Sequence, residues 1–129
     1  AQFSGPELLL TGKVSALSDG KFLHKGTFAH GIEGDMGISA RLTVEGIDII
    51  IITHPYFAVD QEQLRSLGVN PEEKQVIALK GLSHFRADYE PISSEIIAVD
   101  ALGICTLDYH LFNYRHLPRP IWPLDEMPF

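Results

Sequence analysis

The sequence predicts an α/β domain on a mixed, hairpin-rich sheet of roughly five or six strands, an ordinary sheet size, covered by one or two short helices. Three features carry that prediction. Residues 38–44 (ISARLTV) alternate apolar and polar side chains, residues 47–53 (IDIIIIT) are a β-branched run, and only Glu45-Gly46 separates them, which suits a tight hairpin. A second apolar run, Val76-Ile77-Ala78-Leu79, ends at Lys80-Gly81 and reads as a buried strand. Between them lie helix signals: Asp60 ahead of residues 61–67 with Gly68 behind, and Asn70-Pro71-Glu72-Glu73 with proline in the first turn.

The remaining elements follow in chain order. Residues 8–17 alternate loosely and include Thr11 and Val14, so a first strand is expected there. Ser18-Asp19-Gly20 is a turn signature, and residues 21–24 (KFLH) read as a short returning strand. Residues 26–37 hold glycines 26, 31, 34 and 37 and read as loop. His54-Pro55 ends the β-branched run, because proline restricts the residue before it and has no N–H for a ladder. Residues 95–99 form another expected strand, closed by a turn over 100–103. The proline-rich stretch 116–129 (HLPRPIWPLDEMPF) is expected to run extended over a surface.

A length of 129 residues fits one domain around one core. A net charge of −7 argues against a general nucleic-acid surface, which shows a basic stripe, and aromatic residues do not interleave with basic ones. No apolar stretch approaches the roughly 20 residues of a membrane span. The single cysteine, Cys105, excludes an internal disulfide and a multi-thiolate zinc site, and reads as a small packed residue in a reducing cytosol. The N-terminal residues AQFSGPELLL lack the pattern of a signal peptide, so a cytoplasmic location is expected. Phosphate-loop, dinucleotide, HExxH and GxSxG motifs are absent.

Chemistry-bearing residues concentrate just after the 76–79 run. Lys80, His84, Arg86 and Asp88 fall within nine positions, where α/β sheets gather ligands beyond the carboxyl ends of strands. If residues 83–89 are helical, His84 and Asp88 stand at i and i+4 on one face. That spacing suits two metal ligands, or a histidine oriented by a carboxylate. Lys80 and Arg86 offer fixed positive charge for a carboxylate, phosphate or oxyanion. The same residues also fit a helix start laced with ion pairs, Arg86 meeting Asp88 or Glu90, and the residues alone leave both readings open. His54, Tyr56 and Asp60 in HPYFAVD form a second cluster after a strand end, which sharing an edge with the first would make a binding wall and which otherwise makes a packed corner. His24 and His30 flank the glycine-rich loop and read as solvated; Asp108, Tyr109, His110 and His116 show no metal spacing.

Several stretches resemble the C-terminal region of the microcystinase C (MlrC) family of zinc-dependent peptidases, named for degrading the linearised form of the cyclic peptide microcystin. They are GKVSALSDGKF at 12–22, residues 49–92 from IIIITHPYF to YEPI, IIAVDALGICTLDY at 96–109 and RPIWPLDEM at 119–127. The resemblance implies that residues 1–129 form the domain lining the substrate cleft of a longer metallopeptidase or amide hydrolase. Zinc would then be held by an N-terminal metal-binding portion of the same protein that is absent here, with none bound by this chain alone. It also implies a peptide or small amide substrate. On the Lys-x-x-x-His-Phe-Arg pattern and the Asp88 that follows it, the resemblance implies that His84 and Lys80 are catalytic and that Arg86 and Asp88 contact substrate; His54 and Tyr56, from their place after a strand end, are further expected substrate contacts. A rival expectation is a non-catalytic interaction or dimerisation module, docking through Ile121 and Trp122 as a homo-oligomer.

Overall fold

The Glu45-Gly46 pair turns the chain because both residues adopt positive φ, 49° and 86°, as a two-residue hairpin connection requires. It joins β4 (Ser39–Val44) to β5 (Ile47–Ile52) in the antiparallel register Val44↔Ile47 through Ser39↔Ile52. β1 (Lys13–Ser18) pairs on the other side of β4, with a register shift between Val14 and Ala16. Within that shift the Ser15 hydroxyl meets the Thr43 hydroxyl at 2.8 Å. The resulting sheet has the order β1-β4-β5. This computed structural model describes residues 7–99 and 108–127. It forms two units, Leu9–Ile97 and a second made of Ala1–Leu8 with Ala98–Phe129.

The Ser18-Asp19-Gly20 turn does not return the chain onto β1, as the sequence reading has it. β2 (Lys21–Leu23) instead pairs antiparallel with β3 (Glu33–Asp35), a strand inside the stretch read as loop. β3 has no apolar alternation to reveal it; its middle residue, Gly34, leaves room for the Phe22 ring opposite. Met36 ties this ribbon to the larger sheet, its carbonyl accepting from the amides of Thr53 and His54. The described residues are thus α/β with five strands, divided between two antiparallel sheets, and few short helices.

After β5, α1 (Glu62–Arg65) and a 3-10 turn (Pro71–Glu73) stand where the capping signals place them, with Gly68 at φ 70° between. Residues 76–79 and 95–99 form no strand, contrary to the sequence reading, because nothing among the described residues pairs with them. α2 (Arg86–Tyr89) and a second 3-10 turn (Glu90–Ile92) separate them. The core of this unit gathers Phe22, Met36, Val59, Leu67, Val69 and Tyr89. His24, Asp60 and Gln63 are buried among them.

In the second unit a 3-10 turn spans Tyr109–Leu111. Where an extended tail is expected, the chain turns at 122–124, the Asp125 amide donating to the Ile121 carbonyl at 2.9 Å. Asp125 accepts from the Arg119 guanidinium and, at 2.7 Å, from the Ile121 amide. The guanidinium and the amide hold its carboxyl down at about 2. The expected turn over 100–103 and Cys105 lie outside the described residues.

Candidate functional site

The segments 54–61 and 84–89, separate clusters in the sequence, meet in the structure. Asp88 on α2 accepts the Gln61 backbone amide, and the Gln61 side-chain amide donates to the Asp88 carbonyl at 2.7 Å. Beside them the Tyr89 hydroxyl donates to the Asp60 carbonyl at 3.2 Å. Burial, and then the neighbouring Asp88 and Asp60 charges, push the Tyr89 hydroxyl well above its ordinary value.

Asp60 is the centre of this junction. Its Oδ1 accepts the Glu62 amide at the head of α1, while Oδ2 accepts the amides of Lys25 and Gly26 at 2.9 and 2.8 Å. His24 Nδ1 lies 3.1 Å from the same Oδ2, and both side chains are only 2% exposed. Burial alone would raise the carboxyl, but the donors from Glu62, Gly26, His24 and Lys25 outweigh it and hold Asp60 below its ordinary value. Ionised Asp60 can only accept, so His24 Nδ1 carries the proton. His24 Nε2 then meets the half-buried Tyr56 hydroxyl at 2.9 Å. Burial, followed by the charges of Asp60 and Asp35, pushes that hydroxyl above its ordinary value. Glycine at 26 allows this close approach, since a Cβ would stand 2.8 Å from Asp88 Oδ1 and 3.1 Å from Asp60 Oδ2.

His24 corrects the expectation of a solvated loop histidine. The signal lay in β2 and the residue after it, where Phe22 and His24 are buried and Leu23 exposed, the two-residue period of a strand. Asp60, read as a helix cap, does meet the α1 amide, but most of its acceptor capacity goes to the 24–26 backbone and ring. His30 remains exposed, its Nδ1 3.0 Å from the Lys25 carbonyl.

His84 sits in the turn before α2 and is exposed. Its ring stacks on Phe57 at 5.9 Å between centroids and meets the edge of Phe28 at 5.4 Å. Phe57 is itself placed by Gln63, whose Nε2 donates to the Phe57 carbonyl at 2.9 Å while its Oε1 accepts the Val59 and Asp60 amides. No hydrogen bond reaches either ring nitrogen of His84 from the described residues. Lys80 is exposed and likewise unpartnered among them. Arg86 lies 3.4 Å from Glu90 and 5.7 Å over the Phe85 ring. His54 is exposed, 3.7 Å from Asp35.

The His84 and Asp88 side chains face different neighbours: His84 two aromatic rings, Asp88 a backbone amide. Among the described residues no three His, Cys, Asp or Glu side chains form a metal-holding group. His24 and Asp60 spend their donor and acceptor capacity on each other, on Tyr56 and on backbone, so they do not fit a resident zinc. No helix among the described residues is long and apolar enough to cross a membrane.

Residues 1–116 match the family model described as MlrC C-terminus. Microcystinase C from Sphingomonas sp. is 23% identical over 124 residues, which is 96% of this chain and 23% of that protein. The crystal structure of a "putative metallopeptidase" from Mesorhizobium sp. BNC1 matches with a TM-score of 0.79 and 26% identity. That match covers 90% of this chain and 23% of the other. The chain therefore spans about a quarter of the length of these relatives.

Proposed function

We propose that this chain, which belongs to the MlrC C-terminus family, lines the substrate cleft of a longer metallopeptidase-type amide hydrolase and presents His84 to the reacting group. The observation that carries the reading is the state of His84: an exposed imidazole resting against Phe57 and Phe28, with both nitrogens unspent among the described residues. A proton donor or anion-binding imidazole needs open, accessible nitrogens, and the two ring contacts favour one orientation of them. Lys80, also unpartnered, supplies a mobile positive charge four residues upstream for an oxyanion or a substrate carboxylate. Arg86 contributes a second positive charge near the head of α2, shared with Glu90. Asp88, with its carboxylate on the Gln61 amide, serves the cleft by fixing α2 against the 54–61 loop. His54 and Tyr56 extend the wall along that loop, Tyr56 held by the buried His24.

Relatives described as metallopeptidase and microcystinase support a peptide or small amide as substrate and a metal, zinc in our reading, elsewhere in the longer protein. That metal would supply Lewis-acid activation of the amide. Its ligands belong to the part of such proteins that this chain does not match, and we assign them to an N-terminal portion. The single cysteine supports a reducing compartment, so this reading places the protein in the cytoplasm. The test is His84→Ala in a protein carrying this region together with the remainder found in its relatives. Turnover of an amide substrate should fall about 100-fold or more, the scale of a lost general acid or base, with the melting temperature unchanged. Unchanged turnover removes His84 from the chemistry.

A second reading, an interaction module, draws on the other unit. Tyr109, Tyr114, Leu117, Ile121, Trp122 and Leu124 line a shallow apolar recess, and Trp122 is 74% exposed. A homodimer closed through this recess would appear in light scattering at micromolar concentration and vanish in Trp122→Ala.

A further inference from the structure

Residues 76–79 and 95–97 leave their backbone hydrogen bonding unfinished. Each segment leaves a short turn holding proline, Pro71–Glu73 and Glu90–Ile92. Each turn hands over to an extended residue, Lys74 at φ −93°, ψ 134° and Ser93 at φ −98°, ψ 131°. Exposure then alternates along the first segment: Val76 and Ala78 are open, Ile77 and Leu79 half-buried. That is the period of a strand. Yet no main-chain N–H or C=O of residues 76–82 or 94–97 is hydrogen-bonded among the described residues.

Such segments are strand edges without a sheet. An exposed, apolar, unpaired edge is a template for another strand, and folded proteins cover or blunt it. Neither segment contains proline, the charges Lys80 and Glu95 stand only at their ends, and Val76 and Ile97 are 84% and 73% exposed. Apolar residues on both faces of 76–79 fit a strand covered on both sides, not one that borders water.

Two observations select the occupant. The relatives matched here are about four times as long as the chain, so most of such a protein lies beyond the matched stretch, long enough to supply a partner strand. The 76–79 segment also runs directly into Lys80 and on to His84, so whatever pairs with it borders the candidate site. We propose that residues 76–80 and 95–97 are docking strands that pair, backbone to backbone, with a sheet of the metal-binding remainder of a longer MlrC-type protein. The proposal rests on the cleft-wall reading and adds its assembly mode. Docking orders Lys80 at the end of an added strand, so the same contact that joins the two parts sets the position of the lysine at the candidate site.

Amide hydrogen exchange read by mass spectrometry tests this, comparing this chain alone with the full-length Mesorhizobium relative. In the chain alone, amides of 76–80 and 95–97 should exchange at unprotected rates at every concentration while those of β4 and β5 are protected. In the full-length protein the equivalent segments should exchange at least 100-fold more slowly. Fast exchange in the full-length protein overturns the proposal. So does protection in the chain alone that grows with concentration alongside a dimer by light scattering, which would make a second copy the occupant. Failure of the catalytic reading is read separately, since unchanged turnover in His84→Ala leaves the exchange pattern where it was.

Discussion

β5 (Ile47–Ile52) and residues 76–79 are both short runs rich in β-branched and aliphatic side chains, and only the first is a strand. β5 finds its partner two residues away, across the Glu45-Gly46 turn, so little loop entropy opposes pairing with β4. Residues 76–79 have no such neighbour; the chain before them is a turn and the chain after them leads to α2. Strand propensity is a preference for a half-buried pleated surface, and it is realised only where another strand offers one. The two runs differ in what surrounds them, and that difference separates the self-sufficient part of this unit from the part that looks outward.

The self-sufficient part should break most severely at Asp60. Asp60→Ala removes the acceptor of three backbone amides and leaves His24 buried without its partner, at a cost of about 3–5 kcal/mol. Chemical denaturation should show it as a lower midpoint with the slope intact. The same group fixes the acid limb. Because the folded Asp60 carboxyl lies below its ordinary 3.8, the stability it contributes is complete above that value. It is lost as pH falls through the lower folded value. Asp60→Asn should therefore flatten the fall in stability as pH drops below about 4 in a urea titration series.

A proline pair sharpens the contrast itself. Leu42→Pro strikes β4, the central strand, and should cost about 3 kcal/mol or more, the scale of proline inside regular structure. Ile77→Pro strikes a segment with no ladder to lose, and in this chain alone should shift stability by less than about 0.5 kcal/mol. Equal losses from the two would mean that residues 76–79 are already paired. Between these extremes, Gly46→Ala has open space for its methyl group but forces alanine to φ 86°, for about 1 kcal/mol by thermal melting.

Much of the self-sufficient part was legible. The β4–β5 hairpin, the Asp60 and Gly68 signals around α1 and the proline-led 3-10 turn all follow from residues within a few positions of one another. β3 was not legible, because Glu33-Gly34-Asp35 has no pattern and is a strand only through β2. Of the candidate site, the concentration of Lys80, His84, Arg86 and Asp88 was visible, but not their division of labour. That Asp88 would take the Gln61 amide while His84 faced Phe57 depends on where the 54–61 loop lies. His24 escaped because its partner, Asp60, stands 36 residues away.

The sequence by itself determined the locally encoded pieces: the tight turn, the helix ends, the apolar runs and the residues that carry charge and imidazole after the second run. Capping, turn geometry and side-chain alternation act over a few residues, so they can be read without knowing the fold. Tertiary structure alone decided which apolar run became a strand, which histidine was buried on a carboxylate and which stayed open between two aromatic rings. Those outcomes depend on contacts between segments distant in the chain, and no local propensity states which segments will meet.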